Sequence, residues 1–159
     1  MFNRLAGLLR PRNPGSQIDQ VGELQDSAVR SIAADIVNLQ DGEWEDREWV
    51  YIAVNHEILI EEGRRSSTQA SVLAHKPGGK LQDLDFRLGQ ASKAKLLALR
   101  EAMTRKGEDA WTILDITIDR NGHYDFKFSY APPPRLNGDL LHSPLSNLLD
   151  EYLATHGED

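Results

Sequence analysis

The chain has no cysteine. A disulfide framework, thiol catalysis and thiolate metal sites are therefore excluded, which fits a cytoplasmic location. No apolar run approaches the roughly 20 residues of a transmembrane helix. The opening MFNRLAGLLRPR has basic residues and an apolar stretch too short for a signal-peptide core. It reads as a small amphipathic helix or a frayed terminus. Nucleotide and hydrolase signatures are missing too. There is no Walker loop, no dinucleotide fingerprint, no His-Glu-x-x-His helix and no Gly-x-Ser-x-Gly elbow. Gly78-Gly79 between Lys76 and Lys80 reads as a loop. The expectation is a protein without catalytic residues, bound cofactor or metal.

Basic charge is also in short supply. Lys and Arg number 18 against 25 Asp and Glu, for a net charge of −7. Arg4, Arg10 and Arg12 all precede the first acidic residue, Asp19, so the rest of the chain is more acidic than the total suggests. Such a body repels nucleic acid, whose binding depends on neutralising phosphates. It attracts a basic protein and speeds that encounter. Pro11 to Ser16 breaks the chain. The organisation expected is a flexible basic arm over 1–16 and a single α+β domain over 17–159.

Hydrophobic periodicity supplies the elements. Ile18, Val21, Ala28, Ile32, Ile36 and Leu39 recur at helical spacing, predicting a helix over about 18–39. From Trp49 the period changes to two. Val50, Ile52, Val54, His56, Ile58 and Ile60 share one face of a long strand, and Thr68, Ala70, Val72 and Ala74 continue that pattern in a second. Gly63 supplies the turn between them. Leu88, Ala91, Leu96, Leu99 and Met103 mark another helix ending near Gly107. A last helix is expected from Ser143-Pro144, with Leu145, Leu148, Leu149, Tyr152 and Leu153 as its apolar stripe. The order α-β-β-α-β-β-α predicts a four-stranded antiparallel sheet, with helices mainly on one face and the other face wet.

The third and fourth strands form a hairpin within EDAWTILDITIDRNGHYDFKFSY (108–130). A two-residue turn at Asn121-Gly122 would put the two apolar sets on opposite faces, since side chains alternate with period two. A three-residue loop, Arg120-Asn121-Gly122, instead opposes Ile118 to Tyr124, Ile116 to Phe126 and Leu114 to Phe128. The expected turn is therefore type I, closed by Gly122 in the left-handed region as a G1 bulge.

Little in the chain suggests chemistry. The histidines His56, His75, His123, His142 and His156 are scattered. His56 reads as a core-edge residue with a hydrogen-bond partner, and His123, near Asp119 and Asp125, as part of a solvated turn. Asp115 and Asp119 fall on the polar face of their strand. Acid–base work would need one of them desolvated, whereas a solvated face offers a surface to a charged partner. Two segments look like recognition elements. The first is the acidic stretch Glu43, Trp44, Glu45, Asp46, Glu48 and Trp49, since tryptophans are enriched at interface hot spots; the same tryptophans can equally cap the sheet. The second is Pro132-Pro133-Pro134-Arg135-Leu136-Asn137-Gly138-Asp139, which prolines stiffen, or which merely guides the chain to the last helix.

A leucine-rich helix followed by Trp111-Thr112, an alternating strand, the Asn121-Gly122 turn, the aromatic strand Tyr124 to Tyr130 and the Pro133–Asp139 run resembles the YezG-like immunity protein family, antitoxins of bacterial polymorphic toxins. The likeness covers about 88–130 and extends toward the C-terminus; before that it is one of layout, and the N-terminal arm lies outside it. It implies non-catalytic neutralisation of a cognate toxin domain, often a nuclease, in the cytoplasm. It transfers no site residues. The charged contacts expected from the acidity itself are Glu43, Glu45, Asp46, Glu48, Glu61 and Glu62, with Trp44 as anchor and Arg135 and Asp139 from the proline loop. No direct nucleic-acid contact and no membrane span are expected. An acidic secretion chaperone that binds an effector segment, and an enzyme of unknown type, are the alternatives.

Overall fold

A computed structural model describes residues 16–105 and 109–157. Residues 1–15 of the expected basic arm and the cap at Gly107 lie outside them, while Ser16, placed in that arm, opens the first helix. The elements run α1 (Ser16–Asp35), β1 (Glu48–Ile60), β2 (Arg64–His75), β3 (Gln82–Asp85), α2 (Gln90–Thr104), β4 (Ile113–Asp119), β5 (Tyr124–Ser129), a 3-10 turn (Arg135–Asn137) and α3 (Leu148–His156). The α+β class and the antiparallel sheet are as expected. The sheet has five strands, in the order β3-β2-β1-β4-β5, where four were expected. β3 escaped notice because it offers one apolar residue, Leu84, between two aspartates. Its register, Val72 opposite Leu84, comes from β2.

One face of the sheet carries the main core. Ile52, Val54 and Ile58 of β1, Val72 of β2 and Leu114, Ile116 and Ile118 of β4 are buried there with Ala28, Ile32 and Ile36 and with Leu96 of α2. The β4–β5 hairpin has the three-residue register: Ile118 opposes Tyr124, Ile116 opposes Phe126 and Leu114 opposes Phe128. Gly122 has φ 96° and its N–H donates to Asp119 O at 3.1 Å. A β-carbon there would strain the turn.

The first helix ends at Asp35, four residues before the expected stop. The chain beyond it pairs with the segment after β3: Leu39 bridges Phe86, Gln40 N–H donates to Asp85 O, and Arg87 N–H donates to Asn38 O. Asp35 is itself occupied. Its Oδ2 accepts from Gly89 N–H at 2.9 Å and from Ser92 Oγ at 2.5 Å. Gly89 is the N-cap of α2 and has no side chain to do this. One helix's last residue thus caps the next helix, satisfying an N–H that would otherwise be orphaned. Asp35→Ala should lower stability by about 1–2 kcal/mol, measured as a shift in urea midpoint; a variant within error of wild type would mean that solvent replaces the cap.

Contrary to expectation, the centre of the second face is not wet. Tyr51, Ala53, Asn55 and Glu57 point to it from β1, and the last three are buried. The C-terminal segment covers them. Leu148, Leu145, Leu149 and Tyr152 pack on Ala53, Leu73, Tyr51 and Leu81. The final helix starts at Leu148 and not at Ser143; residues 144–147 form turns, with Ser146 N–H donating to Ser143 O and Leu148 N–H to Leu145 O. A bulge between Trp49 and Tyr51 shifts the parity at the start of β1. Trp49 therefore pairs with Ala74 and packs on the main core.

Candidate partner-binding surface

The expected contacts fall into two groups at opposite ends of β1. Glu43, Glu45 and Asp46 precede it, Glu48 opens it, and Glu61 and Glu62 follow it, all exposed. Twelve strand rises separate Glu48 from Ile60, about 40 Å. The two groups cannot form one continuous patch.

At the first end one of the acids is already engaged with a neighbour. Glu45 Oε1 lies 2.9 Å from Lys76 Nζ, and that bond holds the Glu45 carboxyl below the usual range. Glu45 has φ 57°, a left-handed conformation costly for a side chain with a β-carbon. Arg47 Nη1–H donates to Glu43 O at 2.6 Å and to Trp44 O at 3.2 Å. Trp44, expected as an anchor, and Trp49 are both partly buried against the main core. The Arg120 guanidinium stacks over Trp49 at 5.0 Å from the ring centroid. The segment closes one end of the sheet.

Near the other end the proline loop is clamped to the sheet. Arg135, expected as a surface contact, is 6% exposed, and Glu57 of β1 is fully buried beneath it. Arg135 Nη1 and Glu57 Oε2 form an ion pair at 3.5 Å. The guanidinium also donates to Ser67 Oγ at 2.7 Å and to Ser67 O at 3.0 Å. Burial pushes the Arg135 pKa down, opposed by the charges of Glu57 and Asp115. Glu57 Oε1 accepts Leu136 N–H at 3.1 Å. Arg65 Nη1–H reaches Leu136 O, and Gln69 Nε2–H reaches His142 O, both at 3.1 Å. Each side of the loop is therefore tied to β2. Between these ties Gly138 has φ 107°, and Asp139, Leu140 and Leu141 are thrown outward. Leu140 is 78% exposed and Leu141 92%. Sequence reasoning missed both leucines and Glu57. For Glu57 a signal existed, a carboxylate in mid-strand among apolar neighbours.

His56 is buried on the main-core side with Nδ1 2.8 Å from Thr68 Oγ1. Burial, then Lys93 and Arg135, bring its pKa down to about 4, so it is neutral at pH 7. Asp115 Oδ1 accepts Asn55 Nδ2–H at 2.8 Å. Asp119 Oδ2 sits 3.9 Å from His123 Nδ1 at the exposed hairpin tip. A pocket of about 520 Å³ between β2, β3 and the turns after residue 142 is lined by Gln69, Ser71, Asp83, Asp85, Ser143 and Ser146. Burial and the neighbouring Asp85 raise the Asp83 pKa, against a bond from the Leu149 backbone. Asp85 accepts Ser71 Oγ–H at 3.0 Å.

Among the described residues no group of three or more His, Asp or Glu is placed to hold a metal ion, and no helix is long and apolar enough to cross a membrane. A scan against models of known protein families returns no match, nor does a search of curated proteins.

Proposed function

We propose that this protein is an immunity protein that binds a basic toxin domain, a nuclease being the favoured class, and neutralises it without chemistry. Loop 132–142 carries this reading. It is stiffened by three prolines, clamped by a buried ion pair, and presents two nearly fully exposed leucines beside Asp139. Isolated exposed leucines are unremarkable. Two adjacent ones at the tip of a loop tied down on both sides give an apolar anchor whose ordering cost is already met in the free protein. Glu61 and Glu62 stand near this end of the sheet and supply charge that steers a basic partner. Asp139 belongs to the rim. A nuclease must present positive charge to phosphate, and that surface is the complement this end is suited to. The resemblance of the hairpin and proline run to YezG-like immunity proteins points the same way.

Co-expression with the C-terminal domain encoded by the neighbouring gene should restore growth, and the two proteins should co-purify. Leu140→Asp with Leu141→Asp should weaken binding by about 100-fold or more, as loss of a hot spot does, with no change in thermal midpoint. Full protection by that variant removes the loop from the interface. No binding and no rescue by the wild type sinks the immunity reading itself.

A further inference from the structure

We infer that the protein self-associates as a two-fold dimer through the outer edge of β5, antiparallel, with Phe126 on the axis, joining two sheets into one. Among the described residues, β5 ends the sheet and pairs only with β4. Its parity settles which backbone groups face outward. Asp119 N–H donates to His123 O at 2.8 Å, which makes 119 and 123 a hydrogen-bonded pair. Such pairs recur at every second residue. Asp125 and Lys127 therefore turn their backbone groups toward β4, and Phe126 and Phe128 turn theirs toward the open edge. An edge of this kind is a template for another strand.

The side chains select a second copy as that strand. In an antiparallel pair centred on Phe126, Phe126 meets its own symmetry mate and Phe128 meets Tyr124 of the other copy. These are the positions whose outward backbone groups exchange hydrogen bonds. Between them, Asp125 stands opposite Lys127 of the other copy, twice by symmetry. That is a non-hydrogen-bonded position, where facing side chains come closest. Asp125 and Lys127 are both exposed. Phe126 and Phe128 are half-buried, with ring centroids 6.2 Å apart, so pairing would remove more of their surface from water. The opposite edge of the sheet is built the other way. A pair centred on Leu84 of β3 would set Asp83 against Asp85 of the other copy, carboxylate on carboxylate. Of the two edges, β5 is the self-complementary one. This inference is independent of the immunity reading, since loop 132–142 is tied to β2, on the far side of β1 and β4 from this edge.

Sedimentation equilibrium of the full chain tests it. The wild type should show a concentration-dependent dimer. Asp125→Lys alone sets Lys against Lys, and Lys127→Glu alone sets Glu against Asp. Each should raise the dimer dissociation constant by roughly tenfold or more with unchanged circular dichroism. Mixing the two variants should restore dimers, because each supplies the charges that the other lacks. The double variant Asp125→Lys with Lys127→Asp should dimerise like wild type. A wild type that stays monomeric at millimolar concentration overturns the inference. So does a dimer that both single variants leave intact, or a mixture of the two that stays monomeric.

Discussion

Replacing Arg135 by methionine should lower the unfolding free energy by about 3–5 kcal/mol, because it leaves the Glu57 carboxylate buried without an opposing charge. Glu57 is closed off from water, and among the described residues its only cationic partner is the guanidinium 3.5 Å away. The loss also frees Ser67, whose hydroxyl and carbonyl both accept from Arg135. In a domain of this size the thermal midpoint should fall by roughly 10 °C. Changing both residues, Glu57→Met with Arg135→Met, should recover most of that. A buried ion pair gains little net energy over apolar side chains of similar volume. The recovery is incomplete because Leu136 N–H loses its acceptor. A double-mutant cycle in urea separates the two contributions. If Arg135→Met alone stayed within 1 kcal/mol of wild type, on the order of an exposed pair, the site must be open to solvent. On the function proposed above, the same single variant should also weaken partner binding, since the clamp holds Leu140 and Leu141 in place.

Acidification should reveal His56. Its folded pKa is about 4 against an ordinary 6.5, so the unfolded chain takes up a proton that the folded protein refuses. The associated stability is complete above pH 6.5. It is lost as pH falls from there toward 4, and it changes no further below that. Between pH 7 and pH 4.5 the histidine alone should cost about 2–3 kcal/mol. His56→Gln keeps a hydrogen-bonding group for Thr68 Oγ1 and cannot take up the proton. Its unfolding free energy should therefore fall less over that range, by the same margin. Parallel losses in the two proteins, followed by denaturation at both pH values, would assign the acid sensitivity to other groups.

The hairpin was legible residue by residue because its information is local. Alternation on both strands, an Asn-Gly turn and the requirement that both apolar sets share a face leave one register. His56 was legible for a related reason: its parity placed it among apolar neighbours, where only a neutral, bonded imidazole is tolerated. The interaction surface was read far less well. Composition identifies Glu43 to Glu48, Glu61 and Glu62 as acidic, but the length of β1 alone puts them at opposite ends of the sheet. Trp44 has the chemistry of a hot spot and spends it on the core. Arg135 has the chemistry of a surface contact, yet it is buried over Glu57, 78 positions earlier in the chain. Leu140 and Leu141 carry no pattern that distinguishes them from core leucines.

From its residues alone the chain determined its class, the period of each long element, the hairpin register and the place of His56 beside the core with a hydrogen-bond partner. Each depends on neighbours a few positions apart, or on an alternation that a strand's own geometry enforces. Tertiary structure decided the rest: the short fifth strand, the helix that ends at Asp35, whose carboxylate caps another, and the C-terminal segment folded over the second face. These depend on pairings between distant parts of the chain. Such partners become neighbours only when the sheet closes, and no local pattern records which polar groups will meet away from water.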